Sequence, residues 1–121
     1  MPHCELEYSA NVLDKPDNHI ILKAIHDVLA GTKLFSLNDI KSRVTVHRDY
    51  LIGDGGRDRA FVALNISILS GKDEAAKKRI SEDCIQILKD FFPKSIETLK
   101  LSITVQILEM DKGTYARLKN Y

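Results

Sequence analysis

Residues 59–73 read RAFVALNISILSGKD, and the fold turns on them. Ala60, Val62, Leu64, Ile66 and Ile68 alternate with Phe61, Ala63, Asn65 and Ser67. This is the period-two pattern of a strand with one face in a core. Ser70-Gly71-Lys72-Asp73 breaks the pattern at once, and Ser70 with Asp73 three positions on has the spacing of a capping box. Beyond it Ala76, Ile80, Cys84, Ile87, Leu88 and Phe91 form a helical stripe that runs to Pro93. Leu99, Leu101, Ile103, Val105 and Ile107 then alternate with Lys100, Ser102, Thr104 and Gln106, which predicts a further strand. Only the polar tail from Asp111 to Tyr121 lacks a clear period.

The same grammar holds toward the N-terminus. Cys4, Leu6 and Tyr8 alternate with His3, Glu5 and Glu7, so a strand starts almost at Met1. Pro16, Asp17 and Asn18 supply helix-start chemistry, and Ile21, Ala24, Ile25, Val28 and Leu29 share one stripe before Gly31 offers a stop. Arg43 to Tyr50 is rich in β-formers, with Val44 and Val46 facing one way, and it leads into Gly53-Asp54-Gly55-Gly56. A strand and a hairpin-like reversal are expected there. The order βαββαβ is a duplicated βαβ unit, repeating every ~55–60 residues in element order and not in residue identity. The expected class is α+β: a single domain over residues 1–121, with a four-stranded sheet and both helices on one face.

Composition narrows what such a domain can do. Eighteen Lys and Arg against seventeen Asp and Glu leave a net charge of +1, without the basic field of a phosphate-backbone binder. No nucleic-acid partner is expected. Neither is a membrane, because no stretch approaches the ~18 apolar residues of a span and the first residues carry no signal-peptide pattern. Cys4 and Cys84 read as free buried thiols of a reducing compartment, and a cytoplasmic protein is expected.

The common catalytic signatures are missing. His3, His19, His26 and His47 form no i, i+4 pair and there is no Cys-x-x-Cys, so no metal or other cofactor is expected. There is also no Gly-x-Ser-x-Gly elbow, and Gly71-Lys72 lacks the glycine loop of a P-loop. Pro2 stands out. Aminopeptidases remove an initiator methionine before a small residue, and the chain would then begin with a secondary amine on a rigid ring. A free α-amine titrates near 8, and a dry site beside cations lowers that value toward the range of a general base. Taken alone, Met1-Pro2 signals no more than trimming of Met1. Its position one residue before a buried strand would hold the amine rigidly inside the fold.

Several segments carry a resemblance: Met1-Pro2-His3 entering a strand, Phe35 with Leu37, Ile40-Lys41-Ser42-Arg43-Val44, Asp58-Arg59-Ala60-Phe61-Val62, and Ser70-Gly71-Lys72 before the second helix. Together they resemble 5-carboxymethyl-2-hydroxymuconate Δ-isomerases. That family is a branch of the tautomerase superfamily, which also holds 4-oxalocrotonate tautomerase and macrophage migration inhibitory factor. The resemblance extends to about Glu109. It implies a tautomerase-like fold, a homotrimer whose sheets enclose a channel, and cofactor-independent isomerisation of a small unsaturated 2-hydroxy or 2-oxo polycarboxylate in aromatic-compound catabolism. It implies that Pro2 is the base and that Lys41, Arg43 and Lys72 bind substrate. Family members carry arginine at all three of these positions, and here only Arg43 is one. Lysine keeps the charge and loses the planar fork that orients a carboxylate.

Two alternatives stand beside this reading. One is a ferredoxin-like ligand- or RNA-binding module, since Arg57 to Leu64 can be laid over an RNA-recognition strand, although Arg59 and Leu64 fall on its aromatic positions. The other is a non-catalytic interaction protein of tautomerase fold.

Overall fold

A computed structural model describes residues 1–121. The elements are β1 (His3–Ser9), α1 (Asn18–Gly31), a 3-10 turn (Leu37–Asp39), β2 (Lys41–His47), β3 (Arg59–Leu69), α2 (Glu74–Phe91), α3 (Pro93–Thr98) and β4 (Lys100–Met110). The sheet order is β2-β1-β3-β4; β1 pairs with β2 and β3 with β4 in parallel, and β1 meets β3 antiparallel.

Alternation decides which face is buried. Cys4, Leu6 and Tyr8 of β1 and Val62, Leu64, Ile66 and Ile68 of β3 form one core with Ile21, Ile25 and Leu29 of α1 and Ile80, Cys84 and Leu88 of α2. The helix residues recur every fourth position, and the strand residues every second, as those two periods require. Both long helices therefore cover the same face. Phe92, fully buried at the α2–α3 junction, seals the end of this core and meets the Tyr8 ring edge-on at 5.4 Å between centroids. No element covers the opposite face, where β2 and β1 present Lys41, Arg43 and Thr45 beside His3, Glu5 and Glu7.

Four local readings change. First, β2 and β3 form no hairpin: β1 lies between them, and residues 48–58 carry the chain past its end. The glycine cluster does make a tight turn, with Gly53 at φ 55° and Gly55 at φ 89°. Turn chemistry specifies a reversal but not which strand is met afterward. Second, Asp73 rather than Ser70 caps α2: its carboxylate accepts from Ala76 N at 2.7 Å, while Ser70 Oγ accepts from Lys112 N at 3.3 Å. Third, Pro93 opens a further helix, α3, as its preset φ and missing N–H allow at a first turn. Fourth, the tail has no secondary structure and is nonetheless held against the fold.

Candidate active site

The register brings four chain segments to one end of the sheet. His3 pairs with both Lys41 and Ser67, and Ser67 with Leu108. The start of β1, the start of β2, the end of β3 and the end of β4 thus share that end. Lys41 opens β2 at that end, and Pro2, Lys72 and the C-terminal tail lie just beyond the strand termini.

Pro2 is fully buried, and its carbonyl accepts from Lys41 N at 3.1 Å, which fastens the entry of β1 to that of β2. While Met1 is attached, the Pro2 nitrogen is an amide and the titrating amine belongs to Met1. Burial holds that amine below the usual value. The positive charges of Arg117, Lys41 and Lys72 push the same way, and Asp39 opposes them. Next to it, the His3 imidazole is also held low, by burial first and then by Arg43 and Lys41, and its Nε2 meets Tyr115 Oη at 3.1 Å.

The expected site residues separate here. Lys41 and Lys72 both act on the N-terminal amine, with Lys72 Nζ 5.9 Å from the centre of the Phe35 ring. Arg43 lies two residues further along β2 on the bare face, where its Nη1 donates to Glu5 Oε1 at 3.2 Å.

The tail supplies what was not foreseen. Asp111 nucleates a turn, accepting from Gly113 N at 3.0 Å and, through its carbonyl, from Tyr115 N at 3.1 Å. The chain then folds back beside the 3-10 turn. Lys119 Nζ and Arg117 Nη1 lie 3.0 and 3.6 Å from Asp39 Oδ1, and Tyr121 Oη donates to the Asn38 carbonyl at 3.3 Å. A cleft of about 290 Å³ lies between tail and sheet, lined by Met1, His3, Lys41, Arg117 and Lys119 among others. Without periodicity the only signal in the tail was its content, two aromatics and three cations in eleven residues, and the antiparallel β1–β3 pairing that returns β4's end to β1's start. A larger cleft of about 570 Å³ lies by α1 and α2. Its wall has Asp27 and Asp83 against Arg79 and none of the expected site residues, so it is a poor seat for an anion.

Cys4 and Cys84 are free and buried, and burial pushes each thiol up to about 12, which leaves neither as a nucleophile near neutral pH. No group of three or more His, Cys, Asp or Glu side chains converges as a metal centre would need. No helix is long and apolar enough to cross a membrane.

A β2-β1-β3-β4 sheet with both long helices on one face places the chain among the isomerases of the tautomerase fold. The family model of 5-carboxymethyl-2-hydroxymuconate isomerase matches residues 2–121, and the chain belongs to that family. It is 27% identical over 110 residues to the 5-carboxymethyl-2-hydroxymuconate Delta-isomerase of Escherichia coli, covering 91% of this chain and 87% of that one. The crystal structure of a 5-carboxymethyl-2-hydroxymuconate isomerase from Deinococcus radiodurans R1 is similar with a TM-score of 0.91 and 26% identity, over 98% of this chain and 90% of that chain. A structure described as a fused 4-OT wild type symmetric trimer matches with a TM-score of 0.77 over 98% of this chain and 94% of that one. At 12% identity, that likeness is one of fold. The binding-module alternative falls with these findings.

Proposed function

We propose that the protein isomerises 5-carboxymethyl-2-hydroxymuconate or a close analogue, an unsaturated 2-hydroxy polycarboxylate, without a cofactor, and that Pro2 is the general base once Met1 is removed. The observation that carries this is the gathering of positive charge around the buried start of β1. An amine kept dry beside cations loses its proton more easily than one in water, and so stays available as a base near neutral pH.

The chemistry is a proton relocation. Pro2 N takes a proton from the dienol, negative charge spreads over the conjugated oxygen and carboxylates, and the same nitrogen returns the proton to a distant carbon. Atoms and electrons balance without a second reactant. Lys41, Arg43 and Lys72 bind the substrate carboxylates and stabilise that charge as it develops. Arg43 is free to do so because its bond to Glu5 is an exposed surface pair, of a kind typically worth about 0–1 kcal/mol.

The working form is taken to be a homotrimer, with the bare sheet face turned inward. Two free thiols suit a reducing compartment, and the cytoplasm is the compartment proposed, with breakdown of aromatic acids as the setting.

Mass spectrometry of the purified protein tests the first requirement, and retention of Met1 would remove the base. Dienol ultraviolet absorbance then compares wild type with Pro2→Ala, which keeps an amine and alters its basicity and rigidity. A fall in kcat/KM of about 10²–10⁴ is expected, the range of general-base contributions. Equal rates would rule out the ring amine, and no turnover of any dienol by wild type would favour a non-catalytic protein.

A further inference from the structure

The wall of the cleft under the tail carries Lys41, Arg117 and Lys119 and no Asp or Glu side chain. Asp39, beside that wall, is shared by Arg117 and Lys119, while Lys41 Nζ donates to the Asp39 main-chain carbonyl at 3.3 Å. The two tail cations are not equivalent. Lys119 Nζ is hydrogen-bonded to Asp39 Oδ1 at 3.0 Å, and that bond is the main reason the Asp39 carboxyl is held below its usual range. Arg117 stands off the same oxygen at 3.6 Å and makes no hydrogen bond, so a planar fork of five donors opens on the cleft without an acceptor.

Position separates Arg117 from Arg43 as well. Arg117 shares the cleft wall with Met1, whereas Arg43 lines no part of it and lies two residues further along β2. Lys41 and Lys72 can attract an anion but cannot orient it through two parallel bonds. The Arg117 guanidinium, in the cleft that Lys41 also lines, can.

We propose that Arg117 is a substrate-binding residue: its guanidinium takes one carboxylate of the substrate in a bidentate pair, and the 111–121 tail is the strap that carries it over the N-terminus. This assignment rests on the proposed function and adds to it the residue that fixes how a polycarboxylate lies against Pro2. Asp39 anchors the strap through Lys119 and so keeps the Arg117 fork within reach of the cleft.

Two measurements on the full, Met1-processed chain test it. In steady-state kinetics on the dienol, Arg117→Ala is expected to raise KM and lower kcat/KM by roughly tenfold or more, the value of a lost charge-assisted bond, with Arg117→Lys recovering part of the loss. In calorimetry with adipate, a saturated dicarboxylate that cannot react, Arg117→Ala is expected to weaken binding by a similar factor while the circular dichroism spectrum stays that of wild type. Unchanged kcat/KM in Arg117→Ala, with Pro2→Ala still impaired, would overturn the role of Arg117 and leave the proposed function standing. If wild type turned over no dienol, the proposed function would fall and the adipate comparison would decide alone. There, equal affinity, or no binding to either protein, counts against Arg117.

Discussion

Asp14 illustrates how much one side chain can hold. It is buried beside the first turn of α3 and accepts from Lys94 N at 2.9 Å, from Ser95 N at 3.0 Å and from Ser95 Oγ at 2.7 Å. Burial opposes its ionisation, yet these bonds to the charged form prevail and hold the carboxyl below its usual value. Because the folded pKa is depressed, its stabilisation is present above the unfolded value of about 3.9 and fades as pH falls through the folded one. Asp14→Ala strands those donors and is expected to cost about 1–3 kcal/mol in urea unfolding at pH 7, with a smaller difference from wild type in strong acid. At the N-terminus the sign reverses. Lys72 disfavours an ammonium there, so Lys72→Ala should raise the pKa of the processed amine. Titration of ¹⁵N-labelled Pro2 would register this, and the acid limb of the rate profile should move to higher pH. That Pro2, Lys41 and Lys72 share one end of the sheet was legible because each sits beside a clear strand or helix boundary, whereas the roles expected of them came from the family resemblance. Arg117 was not legible, since its location depends on a tail that obeys no period and is placed by ion pairs to Asp39.

Among the elements, strands and long helices were readable because burial imposes a period on them; their junctions were less so. Ser70-Gly71-Lys72-Asp73 was correctly a strand-to-helix turn, but capping passed to Asp73 because only its carboxylate reaches Ala76 N. Gly71 makes the turn possible with φ at 111°, and a Cβ there would meet nothing within 4 Å. Gly71→Ala is therefore strained without being crowded, and should destabilise by on the order of 1–3 kcal/mol. Since this turn also carries Lys72, the variant should lose activity beyond its loss of stability, which separate measurements of kcat/KM and unfolding would resolve. The strand after the Gly53–Gly56 turn was right in type and wrong in neighbour. Which strand β3 pairs with is decided across the whole sheet, by the fit of Leu6 to Leu64 and of Cys4 to Ile66 in the core, and no local pattern contains it.

On the scale of the molecule, the uncovered sheet face is the feature that a lone chain leaves unexplained. Its rows run Lys41, His3, Ser67, Leu108 and then Arg43, Glu5, Asn65, Gln106, a mixed polar surface with hydrogen-bonding groups of both signs. The proposed trimer gives this face its partners. Light scattering should then report a mass about three times the 13.7 kDa of the chain, and Tm should rise with protein concentration, as coupled assembly and folding require. A concentration-independent 13.7 kDa species would exclude the trimer.

The central seat of β1 also sets an order of events during synthesis. β1 is made some fifty residues before β3, one of its neighbours in the sheet, and Pro2 ends buried at its mouth. On the proposed reading, Met1 is cut most readily while the nascent chain is still open, because closure of the sheet buries Pro2 and leaves only Met1 at the cleft wall. The step that frees the catalytic amine would thus compete with folding, and a molecule that folded ahead of its aminopeptidase would be processed, and so activated, more slowly.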